Sequence, residues 1–213
     1  MNKQYPSLIH SLGIVPYLPT YLSMQRFTKN RCADTFDELW FLQHSPVYTL
    51  GQAAKREHLL NTGKIPILLI NRGGQVTYHG PGQLIVYILM DIKRRHWGVK
   101  KLVHALEQAI IDYLASQHLK ATRREKAPGV YVDNCKIAAL GLKIQRGCTY
   151  HGLSLNVDMD LKPFYGINPC GYTGLKVTQL RDLGNNNDIE QVQTQFLPYL
   201  LDTLNTHEYV SSP

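Results

Sequence analysis

An almost continuous apolar segment at residues 84–92 constrains the fold of this chain more than any other feature. In its first seven residues, the longest apolar run of the chain, apolar side chains occupy both odd and even positions. Side chains alternate between the two faces of a strand, so a strand with this pattern buries both faces. Seven residues are too few to cross a bilayer, which takes about 18 or more. We therefore predict a fully buried strand and no membrane association.

Shorter patterns predict the elements around this strand. Further strands are expected at residues 39–42, 47–50, 65–70, 76–79, 136–145 and 149–157. Helices are expected at residues 16–31, at residues 102–114, where apolar residues recur at helical spacing, and from Asp188 onward. Gln191 stands three residues after Asp188, as in a capping box. Strands outnumber helices, and this order predicts a mixed α/β (α+β) fold.

Composition indicates one ordinary globular domain that spans residues 1–213. Hydrophobic residues make up 44% and charged residues 18% of the 213 positions, and Lys and Arg exceed Asp and Glu by 7. This positive charge favours an acidic partner without identifying it. The first residues lack an apolar signal core, and the four cysteines form neither a C-x-x-C pair nor a zinc-like cluster. We expect a cytoplasmic protein with reduced thiols and no metal.

The two long β-like stretches raise a question about one lysine. Strand alternation predicts that His151 shares a face with Leu153, Leu155 and Val157. In the preceding stretch, residues 136–145, the same alternation places Lys136 at the start of an apolar face. The other members of this face are Ala138, Leu140, Leu142 and Ile144. An ammonium group is costly to bury without a partner, so this lysine either has a partner inside the fold or extends its side chain to water.

The most informative stretch is glycine-rich and lies between two predicted strands. Residues 72–84 read RGGQVTYHGPGQL and contain four glycines between positions 73 and 82. Glycine lets the backbone adopt positive φ and lets another chain or a ligand approach closely. The pattern matches neither the phosphate loop nor the dinucleotide fingerprint. A tight hairpin, in which the glycines only turn the chain, is the alternative.

These residues resemble the signature of the lipoyl(octanoyl) transferase family. Further segments follow in the family's order: APGVY at 127–131, KIAALG at 136–141, HGLSLNV at 151–157 and NPCG at 168–171. The similarity covers roughly residues 10–182, and Gln179 departs from the serine of many members. The resemblance implies a fold like that of biotin and lipoate protein ligases, with an acyl tunnel. It also implies transfer of an octanoyl chain from acyl carrier protein to a lysine of a lipoyl domain.

The resemblance implies the following roles for individual residues. Cys170 is the nucleophile, in a Pro–Gly loop of the kind that often carries functional residues. By itself this cysteine would more often be a small buried side chain than a nucleophile. A thiol reacts as the thiolate, and the family's partner lysine corresponds to Lys136. His151 contributes to the pocket, and a Cys–His pair is the minor alternative. The implied substrate-binding residues are Arg72, Gly73, Gly74, Gln75, Val76, Thr77, Tyr78, His79, Ala139, Leu140, Gly141, Gly152, Leu153 and Ser154.

Two other functions remain open at this stage. An ATP-dependent lipoate or biotin ligase shares the implied fold but has no need of Cys170. A nucleic-acid binder is the weaker alternative, because basic residues are dense only at residues 93–95 and 123–126. The transferase reading predicts an octanoyl-acyl carrier protein donor, which those clusters could dock. It also predicts acceptor lipoyl domains of 2-oxoacid dehydrogenases and of the glycine cleavage H protein, no cofactor and a monomer.

Overall fold

The computed structural model describes residues 5–125, 127–206 and 209–211, so Lys126 of the second basic cluster lies outside the described residues. Its strands and helices, in chain order, are β1 (Ser7–Val15), α1 (Tyr17–Asn30), β2 (Asp37–His44), β3 (Val47–Leu50), β4 (Ile67–Leu69), β5 (Val76–His79), β6 (Gln83–Leu89), α2 (Val99–Ser116), β7 (Thr122–Arg123), β8 (Val130–Val132), β9 (Cys135–Gln145), β10 (Cys148–Asn156), α3 (Ile189–Thr203) and β11 (Tyr209–Ser211).

The strands form two sheets, and the mixed α/β architecture predicted from the sequence is confirmed. The large sheet has the strand order β11-β1-β2-β6-β10-β9-β8-β7, and the small sheet has the order β4-β3-β5. In the large sheet β1 runs parallel to β2 and β11, whereas the pairs β2–β6, β6–β10, β10–β9, β9–β8 and β8–β7 are antiparallel. The predicted buried strand, β6, lies in the interior of the large sheet, between β2 and β10.

The two faces of β6 explain why its sequence is apolar throughout. Val86 and Ile88 face α2 and α3 within the main hydrophobic core. Ile85 and Leu89 face the opposite way and pack with Met24 of α1. The small sheet lies on the same side as α1, against its first turns. Each face of the large sheet is therefore covered, and a space between the two sheets is left for a site.

All three predicted helices are confirmed. The capping box of α3 is present, because the Gln191 N–H donates to the Asp188 carboxylate at 2.9 Å and the Asp188 N–H donates to the Gln191 side chain at 3.0 Å. Among the described residues, no helix is both long enough and apolar enough to cross a membrane.

The hairpin alternative for the glycine-rich segment is wrong. β5 belongs to the small sheet and β6 to the large one, so the glycines between them lead the chain from one sheet to the other. Gly82 has φ +82°, and a Cβ there would overlap the carbonyl oxygen of Asp158. Only glycine tolerates both this conformation and this approach.

The first basic cluster is part of the core rather than a docking surface. Arg94 and Arg95, together with Arg31, donate to the carboxylate of Asp37, which is fully buried. A buried carboxylate needs such partners because an unpaired charge is costly to desolvate. Of this cluster only Lys93 is exposed, so the expectation that residues 93–95 form a docking patch is wrong.

Candidate active site

A bulge near the start of β9 determines where Lys136 points. β8 pairs Tyr131 with Lys136 but Val130 with Ala138, so one extra residue is inserted in β9. Ile137 and Ala138 consequently both pack into the main core, whereas Lys136 lines a cavity on the other side. The prediction that Lys136 shares a face with Ala138 is therefore wrong. Such bulges re-aim side chains and often occur beside active sites.

Cys170 lies on a strained turn beside this lysine. It occupies a 3-10 turn, Pro169–Gly171, with φ +56° and ψ +15°, a conformation that residues other than glycine rarely adopt. The segment that follows docks on the start of β9. The Lys136 N–H donates to the Lys176 carbonyl at 2.8 Å, and the Thr178 N–H donates to the Lys136 carbonyl at 3.0 Å. These backbone bonds bring two residues 34 positions apart into contact.

The Lys136 ammonium donates hydrogen bonds to two acceptors. Its Nζ lies 3.0 Å from Cys170 Sγ and 2.9 Å from the carbonyl oxygen of Pro128. It also lies 5.4 Å from the centre of the Tyr131 ring. Burial alone would lower the pKa of Lys136, but the negative charge of the Cys170 thiolate and the hydrogen bond to it outweigh burial and raise that pKa. The geometry therefore places a Lys136 ammonium within hydrogen-bond distance of the Cys170 sulfur.

A cavity of 390 Å³ extends from this pair between the two sheets. Its floor is the pairing of β9 with β10, where Ala139 lies opposite Ser154 and Gly141 lies opposite Gly152. Small side chains at these four positions leave room above the sheet. The cavity is the size of a small-molecule site, and its surface is mostly apolar, so it can hold a hydrocarbon chain.

Most of the predicted substrate-binding residues line this cavity. They are Arg72, Gly73, Gly74, Gln75, Val76, Thr77, His79, Ala139, Leu140, Gly141, Gly152 and Ser154, joined by His151. Tyr78 and Leu153 do not line it, because strand alternation turns Tyr78 toward Phe164 and Leu153 into the main core.

Arg72 is a buried cation in the cavity wall. Its guanidinium donates to the carbonyl oxygen of Thr49 at 2.7 Å and to that of Gly73 at 2.9 Å. Among the described residues, no carboxylate forms a salt bridge with it. Burial lowers the pKa of Arg72, and the nearby Tyr17 and, to a smaller extent, Cys170 oppose this shift. The cavity wall therefore carries a second cationic side chain besides Lys136.

The histidines of the cavity are neutral. Burial, followed by the nearby charge of His44, lowers the pKa of His79 to about 3, and burial and Arg72 lower that of His151 to about 3. His79 hydrogen-bonds Gln83 at 2.8 Å. Among the described residues, no hydrogen bond joins a histidine to Cys170, so the Cys–His alternative has no geometric support.

The predicted orientation of His151 is wrong. Its φ of +61° interrupts the alternation of β10, and its ring stacks on Tyr21 with the centroids 5.5 Å apart instead of joining the main core. Sequence reasoning also missed several residues that line the cavity. They are Tyr17, Tyr87, Val99, Val103, Ala127, Pro128, Leu142 and Tyr172. Nothing in the helical patterns around Tyr17 and Val103 marks these residues, whereas Ala127 and Pro128 belong to the recognised segment 127–131, which could have indicated them.

The fold is that of solved lipoate and biotin protein ligases. A two-part lipoate protein ligase from Thermoplasma acidophilum aligns over 99% of this chain and 88% of its own, with a TM-score of 0.75 and 16% identity. A biotin protein ligase from Aquifex aeolicus, solved with biotin and ATP, aligns over 93% of this chain and 70% of its own. The TM-score is 0.57 and the identity is 12%. At such identities the likeness shows the fold alone.

Sequence similarity defines the family more narrowly. Residues 19–201 match the family model of the lipoyl protein ligase A/B catalytic domain. An octanoyltransferase of Thiobacillus denitrificans is 60% identical over 88% of this chain and 87% of its own. An octanoyltransferase of Chromobacterium violaceum is 56% identical over 94% of this chain and 97% of its own. The chain therefore belongs to the lipoyl protein ligase A/B family, and within it to the octanoyltransferases, which are acyltransferase enzymes.

A bulky side chain in the cavity floor should exclude long acyl chains. We expect Ala139→Phe to lower kcat/KM for an octanoyl thioester by about a hundredfold, because the ring fills the space above Gly141. A butanoyl thioester should lose less than about tenfold. Steady-state rates with both donors measure the effect, and Ala115→Phe on the exposed side of α2 is the control. Equal losses for both donors would contradict this account of the cavity.

Proposed function

We propose that this chain transfers an octanoyl group from octanoyl-acyl carrier protein, or a lipoyl group from the corresponding lipoyl thioester, to a lysine of a lipoyl domain, through a thioester on Cys170. The observation that carries the proposal is the 3.0 Å contact of Lys136 Nζ with Cys170 Sγ beside an apolar cavity of 390 Å³. The acceptors are the lipoyl domains of 2-oxoacid dehydrogenases and the glycine cleavage H protein.

The first half-reaction moves the acyl group to the enzyme. The Cys170 thiolate attacks the carbonyl carbon of the donor thioester, so that a bond to Sγ forms and the bond to the donor sulfur breaks. The departing thiolate takes a proton from the Lys136 ammonium, which becomes a neutral amine. The cavity holds the hydrocarbon chain throughout.

The second half-reaction moves the acyl group to the acceptor. The Lys136 amine takes a proton from the acceptor's ammonium, which becomes a nucleophile. The acceptor nitrogen attacks the thioester carbonyl, an amide bond forms, the bond to Sγ breaks, and the nitrogen loses its second proton to solvent. The ammonium–thiolate pair is restored, and the donor thiol, the amide and one released proton balance the reaction.

The ligase alternative receives less support than transfer. A ligase activates its acid as an adenylate, whereas the contact of Lys136 with Cys170 has an evident use only in thioester chemistry. The relatives at high identity carry the name octanoyltransferase. The nucleic-acid alternative rested on two basic clusters. In the first of them Arg94 and Arg95 form salt bridges with Asp37, so this cluster no longer supports that alternative.

We further propose that the enzyme acts as a cytoplasmic monomer and as one catalytic domain over residues 1–213. The four free cysteines suit a reducing compartment. Both members of the reactive pair and the whole cavity lining come from one chain, so no second copy is needed to complete the site.

Transfer without nucleotide tests the proposal. Purified enzyme, octanoyl-acyl carrier protein and a lipoyl domain are incubated without ATP, and the mass of the lipoyl domain is recorded. We expect a gain of one octanoyl group on the acceptor. Modification that occurs only with free octanoate and ATP would contradict the proposal and favour the ligase.

A further inference from the structure

A second depression adjoins the active-site cavity. This groove has a volume of 610 Å³ and lies between the β8–β9 turn and the segment after Cys170. It shares two lining residues, Ala127 and Tyr172, with the acyl cavity. The two spaces are therefore adjacent along this rim, close to the reactive sulfur. The acyl cavity can hold the hydrocarbon chain of a donor thioester. The thiol side of the same donor must bind elsewhere on the protein.

The groove has polar and apolar lining in about equal parts and carries more positive than negative charge. Arg124 and Lys176 line it, against a single carboxylate, Asp133, in the described residues. Lys176 is exposed, and Arg124 is half-buried. Two cations in one groove are suited to a phosphate or phosphodiester, which binds arginine through paired charge-assisted hydrogen bonds.

Arg124 is held in place rather than free in solvent. Its Nη2 donates to the carbonyl oxygen of Asn134 at 2.9 Å and to the Asn134 side chain at 2.8 Å. Its guanidinium stacks on the ring of Tyr131, 4.4 Å from the ring centre, and the Lys136 ammonium lies 5.4 Å from the same centre. Tyr131 thus contacts both the groove cation and the lysine that contacts Cys170.

We propose that this groove binds the phosphopantetheine arm of the acyl carrier protein, with Arg124 and Lys176 contacting its phosphodiester. This inference rests on the proposed octanoyl transfer and adds the site for the donor's arm. The arm lies along this groove, the thioester reaches Cys170, and the octanoyl chain enters the apolar cavity. The donor then spans both spaces with its carbonyl carbon at the sulfur.

Two synthetic donors that differ only by the phosphate test this site. Initial rates of lipoyl-domain octanoylation are measured with octanoyl-4′-phosphopantetheine and with octanoyl-pantetheine. The enzymes are the wild type, Arg124→Gln, Lys176→Gln and the control Lys29→Gln, which removes an exposed cation from the end of α1. Octanoyl-acyl carrier protein is assayed alongside. It carries, attached to a protein, the same arm that we assign to the groove.

For Arg124→Gln and Lys176→Gln we expect KM for the phosphorylated donor to rise by about tenfold each. KM for octanoyl-pantetheine should change less than twofold, and octanoyl-acyl carrier protein should follow the phosphorylated donor. Unchanged KM values, equal rises for both synthetic donors, or a rise only in KM for the lipoyl domain would each overturn the proposal. The last of these would assign the groove to the acceptor. Absence of Cys170-dependent transfer from octanoyl-acyl carrier protein by the wild type would instead refute the proposed function itself.

Discussion

Replacing Lys136 by Met should lower the rate of octanoyl transfer at neutral pH by about a hundredfold or more. Methionine keeps much of the volume of the lysine stem and removes the cation that lies 3.0 Å from Cys170 Sγ. Less of Cys170 is then present as the thiolate, and the departing donor thiolate has no proton source. Alkylation of Cys170 by iodoacetamide as a function of pH should therefore shift toward higher pH.

Two further variants separate the roles of this lysine. Lys136→Arg keeps a positive charge but cannot accept a proton, so it should restore alkylation at neutral pH more fully than it restores transfer. Lys143→Met is the matched control, because this lysine lies on the same strand and contacts Gln52. If wild type and Lys136→Met share one alkylation midpoint and one transfer rate, Lys136 has only a structural role.

The second large effect concerns stability rather than catalysis. Asp37→Asn should lower the free energy of unfolding by about 3–5 kcal/mol, because it leaves buried arginines without a counter-charge. Asp37 Oδ1 accepts from Arg31 at 2.6 Å and from Arg94 at 2.8 Å, and Oδ2 accepts from Arg95 at 2.9 Å. These bonds tie β2 to the end of α1 and to the loop that follows β6.

Urea unfolding, monitored by circular dichroism, measures this loss. Asp34→Asn is the control, since Asp34 is exposed and close by in sequence, and it should change the free energy of unfolding by less than about 0.5 kcal/mol. If the two variants are equally stable, the buried cluster does not hold these elements together.

The sequence predicts the interior of the fold well, because periodicity reports burial directly. The continuous apolar pattern places β6 in the middle of the large sheet, and the capping pair Asp188 and Gln191 marks the start of α3 within one residue. β1 was not predicted. Its register shifts between Ser11 and Ile14, and such an irregularity obscures the alternation on which strand prediction depends.

The site is less predictable from local pattern, because backbone irregularities decide its orientation. Alternation assigns both Lys136 and His151 to apolar faces, and the bulge in β9 and the positive φ of His151 turn both toward the cavity. The contact between Cys170 and Lys136 depends on how the loop docks on β9, which no spacing rule predicts. Only the family resemblance paired these two residues in advance.

The basic clusters show the same limit for charge. A run of three cations reads as a solvated face, yet two of its members bury their charges against Asp37, which is distant in sequence. Arg124, which is equally inconspicuous in sequence, lies in the groove beside the active site. The use of a charge depends on its tertiary partner, and sequence alone does not supply that partner.

Intact-mass spectrometry of the enzyme alone with octanoyl-acyl carrier protein tests the central claim most directly. The thioester account predicts one octanoyl adduct on the wild type, removed by neutral hydroxylamine and absent from Cys170→Ala. Circular dichroism checks that this variant keeps its fold. The adduct should disappear when a lipoyl domain is added, as the same mass appears on the acceptor. An adduct that persists on Cys170→Ala, or transfer by that variant at the wild-type rate, would contradict the account.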